Sequence, residues 1–139
     1  MIIQLIGKNV KARTEAALYL AKKLDAFCIS DTDIPMAANH DQWSRWLRSL
    51  STIIVNQKNI PVVINATFPS KSSREQFRDS HNKTIVPDIS IFIDIDGKDK
   101  IPFEQEWEDL SEDEYNFKIN SLESFNEIDL IINNITRER

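Results

Sequence analysis

With 139 residues and a hydrophobic share of 41%, the chain is long enough for one domain with its own core, expected to span residues 1–139 without disulfides or a structural metal. A single cysteine, Cys28, excludes a disulfide framework, no apolar run is long enough to span a bilayer, and the first residues lack the basic lead of a signal peptide; the expectation is a reducing, cytoplasmic setting away from membranes. The net charge of −5 divides unevenly: residues 1–84 hold 12 Lys or Arg against 7 Asp or Glu, and residues 85–139 hold 5 against 15. The cations of the basic half are scattered and not interleaved with aromatic residues, which argues against nucleic-acid binding and suits a small anion.

Ile2 to Ile6 is a short apolar run ending at Gly7, the pattern of a buried strand entering a tight turn. From Thr14 to Leu24, Ala16, Ala17, Leu20, Ala21 and Leu24 recur at helical spacing while Lys22 and Lys23 face outward. Ala26 to Ile29 reads as a second strand leading into Ser30-Asp31-Thr32-Asp33. Asp41 caps a further helix whose apolar stripe is Trp43, Trp46, Leu47, Leu50, Ile53 and Ile54; that spacing makes the two tryptophans core residues rather than a stacking surface. Val62 to Ile64 is a third strand, followed by the loop Asn65-Ala66-Thr67-Phe68-Pro69, and Ser72 with Glu75 reads as a capping box for a helix to about Asp79. Ile89 to Ile95 and Phe117 to Ile119 complete the strands, separated by an acidic stretch to Glu114. Ser124 with Glu127 caps a last helix that turns Phe125, Ile128, Ile131, Ile132 and Ile135 inward.

Short apolar strands alternating with amphipathic helices predict an α/β fold, a three-layer α/β/α sandwich around a mostly parallel five-stranded sheet. Ligands of such sheets bind beyond the carboxyl ends of the strands. Here that edge carries Gly7-Lys8-Asn9-Val10-Lys11-Ala12-Arg13-Thr14, in the strand–loop–helix setting of a Walker A loop, G-x-x-x-x-G-K-[ST]. Gly7 and Thr14 match; Ala12 replaces the second glycine and Arg13 the lysine. Lys8, Lys11 and Arg13 sit where a helix dipole disfavours cations, which a docked phosphate or sulfate would explain and a solvated loop would also allow. His40 and His81 lack the spacing of a zinc site.

Four stretches carry a resemblance to adenylylsulfate kinase, a P-loop enzyme that uses ATP and magnesium. IIQLIG through TEAALYLAKKL is similar to the family's strand, Walker loop and first helix; Ser30 to Asp33 resembles its Asp-Gly-Asp segment; VVINATFPSKSSR resembles its Ser-Pro turn and basic residues; and FKINSLESFNEIDLIINNI is similar to its last strand and helix. The resemblance implies that Gly7, Lys8, Lys11, Ala12, Arg13 and Thr14 hold the nucleotide, with Thr14 on magnesium. It implies that Asp31 or Asp33 acts as base or places the metal, with Arg13 doing the lysine's work, and that Arg48 and Arg74 contact the acceptor's phosphate or sulfate. The family's long basic lid is replaced here by the acidic segment Asp94 to Glu114, a loss of charge that weakens phosphoryl transfer. The expected protein is a degenerate kinase-like domain that binds a nucleotide or other phosphate- or sulfate-bearing molecule with weak or lost phosphotransfer. The alternatives are an active ATP-dependent small-molecule kinase and a protein-interaction module using Glu104 to Glu114; the oligomeric state, a homodimer included, stays open.

Overall fold

The computed structural model describes residues 1–31, 60–68, 71–78, 87–97 and 107–137. Five strands, β1 (Ile2–Ile6), β2 (Phe27–Ser30), β3 (Val62–Asn65), β4 (Ile89–Ile93) and β5 (Phe117–Ile119), form one sheet in the order β2-β3-β1-β4-β5. Every neighbouring pair is parallel; Ile3 of β1 lies opposite Val63 on one side and Ile89 on the other. The described helices are α1 (Val10–Leu24), α2 (Lys71–Arg78) and α3 (Asn126–Arg137).

The period of two along each strand sorts the side chains. Ile3, Leu5, Val63, Ile91, Ile93 and Ile119 form one core cluster with Ala16, Ala17 and Leu20 of α1 and with Ile128, Ile131 and Ile135 of α3. The alanines of α1 bring its backbone close to the sheet, while the isoleucines of α3 fill the remaining space beside it. Each fully buried Leu or Ile stabilises the fold by about 1.5–3 kcal/mol. The crossover from β3 to β4 runs along the sheet opposite to that from β1 to β2, so right-handed connections put α2 on the face away from α1. The α/β architecture with a five-stranded parallel sheet is therefore as the pattern predicts.

Gln4 occupies the middle of β1 on that second face, wholly buried among strands. Its Oε1 accepts a hydrogen bond from Ser90 Oγ at 2.9 Å, and its Nε2 has no partner among the described residues.

Some element ends differ from expectation. α1 starts at Val10 rather than Thr14, because the Asn9 side chain accepts the Ala12 N–H at 2.9 Å and caps the helix one turn earlier. It ends at Leu24 as expected, and the cap residue Asp25, with a φ of 52°, takes the left-handed conformation usual for glycine. α2 begins at Lys71, so Ser72 lies inside the helix and not at its cap. Ser124 has φ 50° within a 3-10 turn (Glu123–Phe125), and Glu127 instead accepts the N–H groups of Asn120 and Ser121 at 2.7 and 2.9 Å. β2 and β3 run through Ser30 and Asn65, and β4 stops at Ile93 rather than Ile95. The expected helix around Trp43 and Trp46, with Asp33, Arg48 and residues 98–106 of the acidic segment, falls outside the described residues.

Candidate functional site at the carboxyl edge of the sheet

Gly7, Ser30, Asp31 and Asn65 lie at or just past the carboxyl ends of β1, β2 and β3, so the parallel sheet brings these sequence-distant residues to one edge. Arg13, on the first turn of α1, reaches into that edge and is completely buried. Its Nε donates to Asn65 Oδ1 at 2.6 Å, Nη1 to the Gly7 carbonyl at 2.9 Å and to Thr67 Oγ1 at 2.8 Å, and Nη2 to Asp31 Oδ1 at 3.2 Å. The other carboxylate oxygen of Asp31, Oδ2, accepts the Thr67 N–H at 2.6 Å. A guanidinium carries five N–H donors in a planar fork, and four of these bonds are made to protein groups. Burial pushes the Arg13 guanidinium below its ordinary value, and the Asp31 carboxylate beside it works in the opposite direction.

Asn65 extends the network outward. Its Nδ2 donates to Thr14 Oγ1 at 3.1 Å and to Ser30 Oγ at 3.0 Å, and both hydroxyl-bearing residues are half-buried. Asn65 and Thr67 were not nominated from the sequence, although a polar Asn closing the otherwise apolar run Val62-Val63-Ile64 at a ligand-bearing edge is a readable signal.

The loop between β1 and α1 is short, only Gly7, Lys8 and Asn9. None of its residues has a positive φ, whereas the nest of N–H groups that encloses a phosphate alternates right- and left-handed backbone. Gly7 is needed for close approach, since a Cβ there would lie 2.7 Å from the Ile93 carbonyl oxygen. Asn9 ties this loop to the segment after β4: its Nδ2 donates to the Asp96 carbonyl at 2.9 Å, and Lys8 Nζ stands 3.4 Å from Asp96 Oδ1. Lys11 is exposed and Ala12 buried.

Arg74 of α2 is held apart from this network. Its Nε donates to Glu114 Oε1 at 2.8 Å and its Nη1 to the Phe68 carbonyl at 2.8 Å, and the guanidinium lies 5.7 Å from the Trp107 ring centre. Burial pushes the Glu114 carboxyl up, but hydrogen bonds from Arg74 and Ser111 outweigh it and hold the group below its ordinary value. Arg74 thus fastens the residues before β5 to α2, and both partners of the pair are nearly inaccessible.

Among the described residues, the oxygens nominated for magnesium, those of Asp31 and Thr14, fit it poorly. Both Asp31 oxygens accept protein hydrogen bonds, and Thr14 Oγ1 faces an amide donor that competes with a cation for its lone pairs. Among the described residues no three His, Cys, Asp or Glu side chains gather as a metal cluster, and no helix is long and apolar enough to cross a membrane.

No protein-family model and no curated protein sequence matches the chain. Among solved structures, the crystal structure of APE1195 superposes with a TM-score of 0.50 at 19% identity, over 66% of this chain and 59% of that one. The likeness is one of fold. A gluconokinase from Sinorhizobium meliloti 1021 superposes with a TM-score of 0.45 at 17% identity, over 69% of this chain and 57% of its own. The chain thus spans less than two thirds of the length of either protein.

Proposed function

We propose that this chain is a P-loop kinase-like domain that binds a nucleotide, or another small molecule bearing phosphate or sulfate, with phosphotransfer weak or lost. The observation that carries the reading is the closed bonding of Arg13. A cation that assists phosphoryl transfer must approach the transferring group, and phosphoryl transfer depends almost wholly on positioning and charge. Arg13 is instead neutralised by Asp31 and bonded to Asn65, Thr67 and the Gly7 carbonyl. The same bonds occupy Asp31, the group suggested as base. What remains for binding is the strand–turn–helix at Gly7 with Lys8 beside it, and the half-buried hydroxyls of Thr14 and Ser30. Asp33 and Arg48 remain nominated as acceptor-side residues, by resemblance alone.

The test is a thermal-shift series with ATP, ADP and adenylylsulfate, with and without magnesium, joined to a phosphotransfer assay with adenylylsulfate as acceptor. The expected result is a rise in melting temperature with at least one nucleotide and no turnover above background. Brisk turnover would restore the active-kinase reading, and no shift with any of them at millimolar concentration would remove the binding site. An interaction module using the acidic segment gains nothing from the described residues, where Glu114 is bound to Arg74 of the same chain.

A further inference from the structure

Asn65 has a guanidinium on one side and two hydroxyls on the other. Arg13 possesses donors only, so the Asn65 atom 2.6 Å from Arg13 Nε must be the amide oxygen. That contact fixes the orientation of the whole amide and directs its NH₂ group at Thr14 and Ser30. One hydrogen goes to each hydroxyl oxygen, at 3.1 and 3.0 Å. Both hydroxyls are therefore acceptors toward Asn65 and keep their own protons to donate elsewhere. Among the described residues Thr14 Oγ1 has no further partner, and the other neighbour of Ser30 Oγ is Cys28 Sγ at 4.0 Å, the outer limit for sulfur.

We propose that Asn65 makes this edge a donor site, in which the Thr14 and Ser30 hydroxyls receive an acceptor oxygen of a phosphate- or sulfate-bearing ligand without a divalent cation. This rests on the anion-binding reading given above and departs from the magnesium role that the resemblance implies for Thr14. The amide is held with its oxygen on Arg13, so the positive end of its dipole faces the two hydroxyls, which favours an anion and opposes a cation at the same place. Asp31 does not reverse that preference, because its charge is offset by Arg13 and its other oxygen is taken by the Thr67 N–H.

The experiment is calorimetric titration of ADP, adenylylsulfate and inorganic phosphate into the protein, in EDTA and in magnesium, for the unaltered chain and for Thr14→Val, Ser30→Ala and Asn65→Asp. The unaltered chain is expected to bind at least one of the three equally well in both buffers; which one binds separates nucleotide, sulfate-bearing and free-phosphate sources. Thr14→Val and Ser30→Ala are each expected to weaken binding by about tenfold, the scale of one hydrogen bond to a charged group. Asn65→Asp would draw both hydroxyl protons inward and abolish anion binding; the two hydroxyl variants carry the test if it does not fold. Binding that appears only with magnesium, or that is indifferent to both hydroxyls, overturns the donor site while leaving anion binding in place. No binding of any ligand in either buffer overturns the anion-binding reading, and the donor site with it.

Discussion

The Arg13 guanidinium and the Asp31 carboxylate stand 3.2 Å apart with both side chains almost wholly removed from solvent. A pair of this kind is costly to desolvate and contributes little net stability against apolar residues of equal volume, but removing one partner strands the other charge. Arg13→Ala is expected to lower the unfolding free energy by about 3–5 kcal/mol, because Asp31 would be left buried without its cation. In a double-mutant cycle with Arg13→Met and Asp31→Asn, the double variant should lose less than the two single losses together, with a coupling of at least about 1 kcal/mol. Urea unfolding of the four proteins gives the numbers, and strictly additive losses would show that the pair is not coupled.

Gln4 should be a site where the protein can be improved. Its Nε2 is buried without a partner among the described residues, and an unsatisfied buried donor costs about 1–3 kcal/mol. Replacing both members of the pair by apolar residues of similar shape, Gln4→Met with Ser90→Ala, removes the orphan and leaves nothing unbonded. That double variant is expected to be more stable by about 1 kcal/mol, whereas Gln4→Met alone should gain less because Ser90 Oγ then lacks its acceptor. A fall in the melting temperature of the double variant would mean that the amide is satisfied in solution.

Much of the fold was legible because the parallel sheet is written in apolar runs. Ile2 to Ile6 and Phe117 to Ile119 are strands as expected, and the alanine spacing identified α1. The site was legible only in its location. Gly7, Arg13, Thr14 and Asp31 do converge at one edge, yet a sequence gives no direction to a side chain, and Arg13 proves to point into the protein. Nor does it weigh one local bond against another. Asn9 reads as one more loop residue, but as a helix cap it moves the start of α1 to Val10 and shortens the loop that a Walker reading would need. Arg74 was nominated for an anion and is instead taken by Glu114, which lies 40 residues away in sequence.

Asn9 and Gly97 form a clasp that can be tested by substitution. A Cβ at Gly97 would lie 2.5 Å from Asn9 Nδ2 and 2.8 Å from its Cγ, so an added methyl must displace the side chain that caps α1 and bonds the Asp96 carbonyl. Asn9→Ala is expected to cost about 1 kcal/mol, the usual value of a lost cap, and Gly97→Ala a similar amount. In an Asn9→Ala background most of the Gly97→Ala cost should vanish, since the two nearest atoms are gone and only the Cβ at 3.1 Å remains. Equal cost in both backgrounds would indicate that Gly97 acts through its own backbone and not through Asn9.

The bond between Arg74 and Glu114 predicts a particular dependence on pH. Glu114 is held below its ordinary 4.5 in the folded protein, so below that value the unfolded chain binds more protons than the folded one. Its contribution to stability is therefore present in full above about pH 4.5, the unfolded value, and is lost as the pH falls through the lower folded value. Glu114→Gln cannot titrate, which isolates this carboxyl from the others. The stability gap between the unaltered chain and Glu114→Gln should be constant from neutral pH down to about 4.5 and then close with further acidification, as both side chains become neutral partners of Arg74. Urea unfolding across that range measures the gap. A gap that stays the same well below pH 4.5 would mean that Glu114 acts through the shape of its hydrogen bonds to Arg74 and Ser111, and not through its charge.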